Sequence, residues 1–328
     1  MLYYMNDKMT LKELAGLAGV SIATASRALR SPNSVKESTR SKIQSAVHAL
    51  EAKKSGIIAL VIPEISNQFF PLMLTGIEEI ARMQRFSLML CNSQGIPEIE
   101  DRILLDLMNL GVDGVLYIGI GKPSRLLAEV VSNKALPIVF LDRDPGLKNV
   151  PLVTTDNRGG MEQAVKYLLS LGHRKILYIG GKPGVSTETG RHQGFLDALN
   201  DEKINPKDVM EVYANYHKDE AYELVSTLIK QKKFSFTAVC ASNDTMAFGA
   251  FQALRQAGIK IPEEVSLIGF DDLPTSELIG LTTVRQPFIE EGRTGMMQLL
   301  SLIQNSNMHE ASTMMPCALV VRNSCKIL

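Results

Sequence analysis

The chain has 328 residues, 45% of them hydrophobic, with 35 basic and 35 acidic side chains. That length suits about two or three domains with sizeable cores. A net charge of zero, taken at face value, argues against a strongly basic binder of nucleic acid or membrane surfaces. The average hides an asymmetry: residues 1–56 hold nine Lys/Arg against four acids, and the remainder 26 against 31. A +5 head on a −5 body is the pattern of a nucleic-acid module joined to something else. No apolar run approaches the roughly 18 residues of a membrane helix, and the N-terminus lacks the charged and apolar regions of a secretory signal. The four cysteines form no C-x-x-C and the five histidines show no metal-ligand spacing. A cytoplasmic protein with reduced thiols is therefore expected, with no metal and no cofactor.

Thr10-Leu-Lys-Glu13 has the form of a capping box, the hydroxyl and the carboxylate each answering a free backbone N–H. Leu11, Leu14, Ala15 and Ala18 keep helical spacing to about Ala18, where Gly19 supplies a left-handed stop and Val20 packs beneath the turn. Ser21 then caps a second helix, Ile22 to Leu29, with Ala25, Ala28 and Leu29 inward. A third, about Lys36 to Lys53, carries Ile43, Ala46, Val47 and Leu50 on one face. This spacing predicts a helix-turn-helix. Its second helix is expected in the major groove, Ile22 and Ala23 on base edges and Arg27 reaching a guanine O6/N7 pair. Ser21, Thr24 and Ser26 suit phosphate contacts, which fix register without reading sequence. Arg30 and Arg40 read either as further phosphate clamps or as solvated surface charges.

From Ile57 onward, β-rich runs alternate with helical patterns. Strands are predicted at Ile57–Ile62, Phe86–Cys91, Gly114–Ile118, Ile138–Leu141, Ile176–Ile179, Val209–Tyr213, Ala238–Ala241 and Leu267–Phe270. Between them fall amphipathic helices at Phe70–Met83, Pro97–Leu110, Met161–Leu171, Gly190–Leu199, Glu220–Lys230 and Thr245–Ala257. Such alternation gives parallel sheets with right-handed crossovers, and a break near Asp156 predicts two similar lobes. The fold class is thus α/β, a three-helix head before a two-lobed core of doubly wound parallel sheets. Ligands of such sheets bind at the carboxyl ends of the strands, and polar residues gather there. Asn67, Phe69 and Phe70 follow the first strand, Asp142 and Arg143 the fourth, Asn243 and Asp244 the seventh, Asp271 and Asp272 the eighth. Thr187 and Arg191 sit at a loop–helix junction after Gly180-Gly181. Carboxylates, an amide and an Arg can pair with several hydroxyls while aromatic faces stack on a sugar ring. For each residue alone the alternative is capping or turn chemistry, above all for Asp244, Asp272 and Asn157.

Enzyme readings find less support. Gly119-Ile-Gly-Lys122-Pro123-Ser124 approaches a phosphate loop, but Leu116 and Pro123 stand where G-x-x-x-x-G-K-[ST] needs Gly and Ser or Thr. No Ser or Cys nucleophile elbow is present.

The stretch Thr10-Leu-Lys-Glu-Leu-Ala-Gly-Leu-Ala-Gly-Val-Ser-Ile-Ala-Thr-Ala-Ser-Arg27-Ala-Leu resembles the headpiece of lactose-repressor (LacI) family regulators. It departs from that pattern at Ala25, where Val is usual, and at Lys36, where Ser normally caps the third helix. The core is similar to that family's periplasmic-binding-protein-like effector domain at Val61–Phe70, Asp156-Asn-Arg-Gly-Gly160, Leu171-Gly-His-Arg-Lys-Ile176, Arg191-His-Gln-Gly-Phe195, Ser242–Ala247, Gly269-Phe-Asp-Asp272 and Thr282–Pro287. The resemblance implies that Arg191, Asn243, Asp271 and Asp142 hold a sugar or other small effector, and that Phe69, Phe70 and Tyr216 stack on it. His173, inside a structural signature, is expected at the surface or in a turn. The segment after the third helix is roughly ten residues short of the family's hinge, which implies weak operator bending.

The expected layout is a DNA-binding head at 1–51, a shortened linker at 52–56 and an effector-binding, dimerising core at 57–328. In that core the N-lobe takes about 57–157 and 287–312, and the C-lobe about 158–286 and 313–328. The partners implied are a double-stranded, pseudo-palindromic DNA operator, a small effector of sugar type and a second copy of the chain. With no leucine-heptad tail a dimer is expected rather than a tetramer, its heads about 34 Å apart. A regulator answering to a protein partner, or to a nucleoside or sugar phosphate, a sugar-processing enzyme and a solute-binding protein are the alternatives.

Overall fold

The computed structural model describes residues 11–52, 55–231, 233, 235–304 and 312–328. The head is three helices, α1 (Leu11–Ala18), α2 (Ile22–Arg30) and α3 (Glu37–Ala52), closed around Leu14, Ala15, Ala18, Ala25, Ala28, Ile43 and Ala46. Small residues at 15, 18, 25 and 28 let the helices cross closely, with Val20 and Leu29 packed at the margin. Gly19 turns the chain at φ 65°, and Ser21 Oγ accepts from Thr24 N–H at 3.1 Å, capping α2. Thr10 and the linker residues Lys53 and Lys54 lie outside the described residues. Beyond them Gly56 N–H donates to Asp113 Oδ2 at 2.7 Å, fixing where the chain enters the core.

The first lobe is built on β1 (Ile57–Ile62), β2 (Ser87–Asn92), β3 (Gly114–Tyr117), β4 (Ile138–Leu141), β5 (Leu152–Thr155) and β11 (Thr313–Met315), in the spatial order β11-β5-β4-β3-β1-β2. All these pairings are parallel. Alternation along β1 sends Ile58, Leu60 and Ile62 into one helical layer and Ala59 and Val61 into the other. The first layer is α4 (Phe69–Met83) with α12 (Phe288–Ile303); the second is α5 (Pro97–Leu110) with α6 (Arg125–Ser132). Helices α4 and α12 cross so closely that a Cβ on Gly76 would lie 2.0 Å from the Ile289 carbonyl oxygen.

The second lobe has β6 (Ile176–Gly180), β7 (Val209–Tyr213), β8 (Ala238–Ala241) and β9 (Ser266–Ile268) in the order β7-β6-β8-β9, again parallel. An antiparallel pair, β10 (Thr283–Arg285) with β12 (Ala318–Val320), lies beside them. Helices α7 (Asn157–Ser170) and α8 (Ser186–Asp201) cover one face, α9 (Lys218–Lys230) and α10 (Asp244–Gln256) the other, and α11 (Pro274–Leu278) follows β9. The chain passes between the lobes three times, after β5, after β10 and after β11.

Two expectations are corrected here. The return to the second lobe falls after Met315 rather than after residue 312, because Thr313–Met315 pairs in parallel register with Val153–Thr155 of the first sheet. His173 is neither a surface nor a turn residue: it is 1% exposed, its Nδ1 2.9 Å from Thr237 Oγ1 and its Nε2 2.9 Å from Ser266 Oγ and 3.1 Å from the Lys326 carbonyl. It ties β9 and the C-terminal segment to the start of β6. Among the described residues no helix is long and apolar enough to cross a membrane.

Candidate functional site

Parallel strands release their side chains at their carboxyl ends, and here both sheets end at one cleft. From the first lobe, Asn67 follows β1, and Asp142 and Arg143 follow β4 with Asp142 in the left-handed region at φ 61°. From the second, Asn243 follows β8 and Asp271 follows β9, while Thr187 and Arg191 lie one turn apart on α8. Asn215 and Tyr216 take consecutive left-handed conformations, φ 49° and 70°, which fold Tyr216 back over Gly181. A Cβ at Gly181 would come within 2.2 Å of that ring, so the close approach requires glycine.

These residues meet around one inner chamber, lined by Asn67, Phe69, Asp142, Arg143, Thr187, Arg191, Tyr216, Asn243, Asp271 and Gln286 and enclosing about 20 Å³. Nine of the ten sequence-predicted effector residues stand there. The tenth, Phe70, lines an outer chamber of about 390 Å³ and is buried against the first-lobe core, its ring centroid 3.9 Å from that of Phe69.

The inner groups are already paired with one another. Arg191 Nε donates to Asn157 Oδ1 and Nη1 to the Ser242 carbonyl, both at 2.7 Å, and Nη2 lies 3.7 Å from Asp271 Oδ1. The guanidinium sits over the Phe270 ring at 4.0 Å. Gln286 Nε2 donates to Asp271 Oδ1 at 2.7 Å, and Thr187 Oγ1 and Tyr216 Oη are 3.0 Å apart. Arg143 Nη1 donates to the Gly119 carbonyl at 2.9 Å with its Nε 3.4 Å from Asp142 Oδ2. Each acid in the chamber thus faces an arginine. Beneath them, buried Glu291 on α12 accepts the Asp142 N–H at 2.7 Å.

Burial dominates the titration of these acids. It pushes the Asp271 carboxyl up to about 8, Arg191 opposing and Asp244 adding to the effect. It raises Asp142 as well, against the pull of Arg143 and Arg191, and lifts Glu291 well above the usual carboxylate range. Asp244, pushed up to about 6 by burial, is held back by hydrogen bonds from Ser276, Thr283 and the Leu273 N–H.

Neither Asp272 nor Asp244 is a simple helix cap. Asp272 forms ion pairs of 2.6 Å with Arg285 and Arg322, and Asp244 braces Leu273, Ser276 and Thr283 behind the cleft. Asn243 is a cap, its Oδ1 accepting from Met246 N–H at 2.9 Å, and still faces the chamber. Three participants escaped sequence reading. Gln286 stands in the quoted Thr282–Pro287 motif and Asn157 in the quoted Asp156–Gly160 motif, where a turn is the alternative for it, and neither is named there as a site residue. Glu188, which takes the Tyr178 hydroxyl at 2.8 Å and the Gly181 N–H at 2.7 Å, shares a helical face with Arg191 at i, i+3, and that spacing marks it.

In the head, Ser21, Ile22, Ala23, Arg27 and Arg30 are exposed along one side of α2, with Thr24 and Ser26 half-buried beside them. Ser21 and Thr24 also bond each other, Oγ to Oγ1 at 2.8 Å. Arg40 stands apart on α3, 3.0 Å from Glu37 Oε1.

A helix-turn-helix head on a two-lobed, cleft-bearing core defines the class: a DNA-binding regulatory protein with a periplasmic-binding-protein-like sensor. Residues 10–51 match the family profile of bacterial regulatory proteins, lacI family, and residues 165–325 that of the periplasmic binding protein-like domain. The chain is 31% identical to the ribose operon repressor of Halalkalibacterium halodurans over 97% of each sequence. It is 32% identical to the transcriptional regulator DegA of Bacillus subtilis over 87% of this chain and 88% of that one. Among solved structures it resembles a LacI family regulator from Enterococcus faecium with bound ribose, at 30% identity and a TM-score of 0.75 over 83% of this chain and 99% of the other. The chain belongs to the LacI family of bacterial transcription regulators.

Proposed function

We propose that this protein is a ligand-responsive transcription repressor that senses a neutral sugar in the interlobe cleft and reads DNA with its head. The observation that carries the reading is the inner chamber itself. Its residues come from both lobes, and its roughly 20 Å³ holds about one water. A sugar ring therefore enters only if the lobes part or rotate, so binding and lobe arrangement are linked. The pairing of each acid with an arginine favours an uncharged ligand rich in hydroxyls, which carboxylates and amides recognise in pairs. Two regulators that the chain resembles, one solved with bound ribose and one complexed with D-xylulofuranose, support that class. In a homodimer, a change in lobe arrangement alters the spacing of two heads on a pseudo-palindromic operator. The groups in the chamber are read as recognition groups, without a catalytic role.

A gel shift of the chain on its own upstream promoter, with and without ribose, xylulose and other neutral sugars, tests this. The expected result is a shift whose midpoint moves at least tenfold with one sugar. Turnover of a glycoside with no DNA binding overturns it.

A further inference from the structure

The chamber that carries the sensor reading is too small for the ligand, and a larger one adjoins it. The outer chamber, about 390 Å³, falls within the size range of small-molecule sites. It is not a separate pocket: Asn67 and Arg143 of the first lobe and Tyr216 of the second line both chambers, and Arg143 sets this outer chamber apart from a third cavity of about 340 Å³ that shares only Asn67 and Tyr216 with the inner one. A molecule whose first ring is held between Asp142 and Asp271 has room to extend past Arg143 into the outer chamber.

The outer lining has a distinct chemistry. Pro63, Ile65, Ile120 and Val185 present apolar faces, and Asn92 and Gln94 present amides between them. Ile65 is 55% exposed, an apolar surface otherwise left to water. Gln94 engages its neighbour through the backbone alone, its N–H donating to Asn92 Oδ1 at 3.3 Å. Charge is sparse and spoken for: Glu64 bonds Ser66 and faces His217 at 4.0 Å, and Arg143 is held by Gly119 and Asp142. Lys182 lies exposed at the rim. Apolar side chains together with amides suit a second ring with hydroxyl edges and a C–H face, and one exposed lysine beside an arginine already engaged by Gly119 and Asp142 does not make a phosphate site.

Resting on the sensor reading, we propose that the effector is a two-unit neutral sugar, a disaccharide or an O-glycoside, with one ring in the inner chamber and the second unit in the outer one. Size selection then resides in the outer chamber, and the inner chamber sets which sugar is recognised.

The test is calorimetry on the full chain with ribose, glucose, ribose 5-phosphate, cellobiose, maltose, sucrose, trehalose and methyl ribosides. It is repeated on Ile120→Trp, which fills the outer chamber, on Gln94→Ala, which removes an amide without bulk, and on Arg191→Ala. The expected result is at least tenfold tighter binding of one disaccharide or glycoside than of its inner monosaccharide. In Ile120→Trp that ratio collapses to about one, and in Gln94→Ala it falls several-fold. A monosaccharide that binds as tightly as every two-unit sugar overturns the proposal and leaves the sensor reading intact. So does a ratio unchanged in both outer-chamber variants, and so does ribose 5-phosphate binding better than all the neutral sugars. Sugar binding undiminished in Arg191→Ala, or absent with the whole panel, overturns the sensor reading along with the proposal.

Discussion

Gln286 bridges Asp271 and Thr155, its Nε2 donating to Asp271 Oδ1 at 2.7 Å and its Oε1 accepting from Thr155 Oγ1 at 2.6 Å. One amide thus joins the floor of the inner chamber to two of the three passages between the lobes. The third is tied in by the Asp156 N–H, which donates to the Met315 carbonyl at 2.8 Å. On the other side, Arg191 holds Asn157 at the start of α7. A ligand that moves Asp271 or Arg191 therefore pulls on backbone about which the lobes turn.

Gln286→Leu keeps the volume and removes both hydrogen bonds. Thr155 and Asp271 each lose their shortest hydrogen bond in a buried site and keep Asn157 Nδ2 at 3.5 Å and Arg191 Nη2 at 3.7 Å, respectively, at a cost of about 1 kcal/mol apiece, so the core melts at lower temperature. The sharper expectation concerns coupling: operator affinity without effector stays near that of the parent, while the effector-induced change shrinks several-fold. Gel shifts across an effector titration check it, and an unaltered ratio of affinities removes Gln286 from the coupling path.

Arg191→Lys is expected to be nearly as damaging as Arg191→Ala. The guanidinium addresses three groups, Asn157, Ser242 and Asp271, and sits 4.0 Å over the Phe270 ring. An ammonium reproduces neither the fork nor the stacking. Effector affinity should fall at least tenfold with operator binding by the head retained. Calorimetry together with a gel shift separates the two, and a Lys variant that binds effector normally contradicts the assignment.

How much of this was legible in the sequence follows from local physics. Strands such as Ile57–Ile62 and Ile138–Leu141 are buried on both faces, so they appear as short apolar runs bounded by turns. Ser21 and Gly19 set the head's turn through capping and a left-handed φ. The strands Leu152–Thr155, Thr283–Arg285, Thr313–Met315 and Ala318–Val320 are three or four residues long, too short for a period to register, and exist because a neighbouring edge accepts them. Most site residues could be named because strand ends and a family signature mark them. Their partners could not: Gln286 meets Thr155 across 131 positions of chain and Glu291 meets Asp142 across 149, and no local pattern encodes such a contact. The paired aspartates show the same limit. Asp271 and Asp272 are adjacent, yet left-handed turns at φ 128° and 59° send one to the chamber and the other to Arg285 and Arg322.

Two of the three head arginines, Arg27 and Arg40, are expected to differ. Arg27 is exposed on the side of α2 expected to enter the major groove, and Arg27→Ala should cost about 1–3 kcal/mol of operator binding and relax preference at one base position. Arg40 is paired with Glu37 on α3, and Arg40→Ala should weaken binding less and equally across sequences, as loss of a phosphate contact or a solvated charge would. Affinity on a library of single-base operator variants distinguishes them. A base-specific loss at Arg40 and a uniform one at Arg27 would reverse the assignment of the reading residue.

Acidity should act on the sensor through Asp271. Its carboxyl is pushed up to about 8 by burial in the folded core, against about 3.9 in the unfolded chain. The folded state thus holds this proton more tightly than the unfolded state. The resulting stability is fully present below about pH 4 and is lost as pH rises through the folded value near 8. The effector-free protein should therefore melt progressively lower between about pH 5 and 8.5, and Asp271→Asn, which cannot ionise, should flatten that slope. Sugar hydroxyls that donate to the ionised carboxylate favour the charged form. Effector binding should accordingly release a proton and tighten as pH rises across the same window. Melting curves at several pH values, with calorimetry in buffers of different ionisation enthalpy, measure both effects. Parallel slopes for the parent and Asp271→Asn would mean that Asp271 is already charged in the folded core.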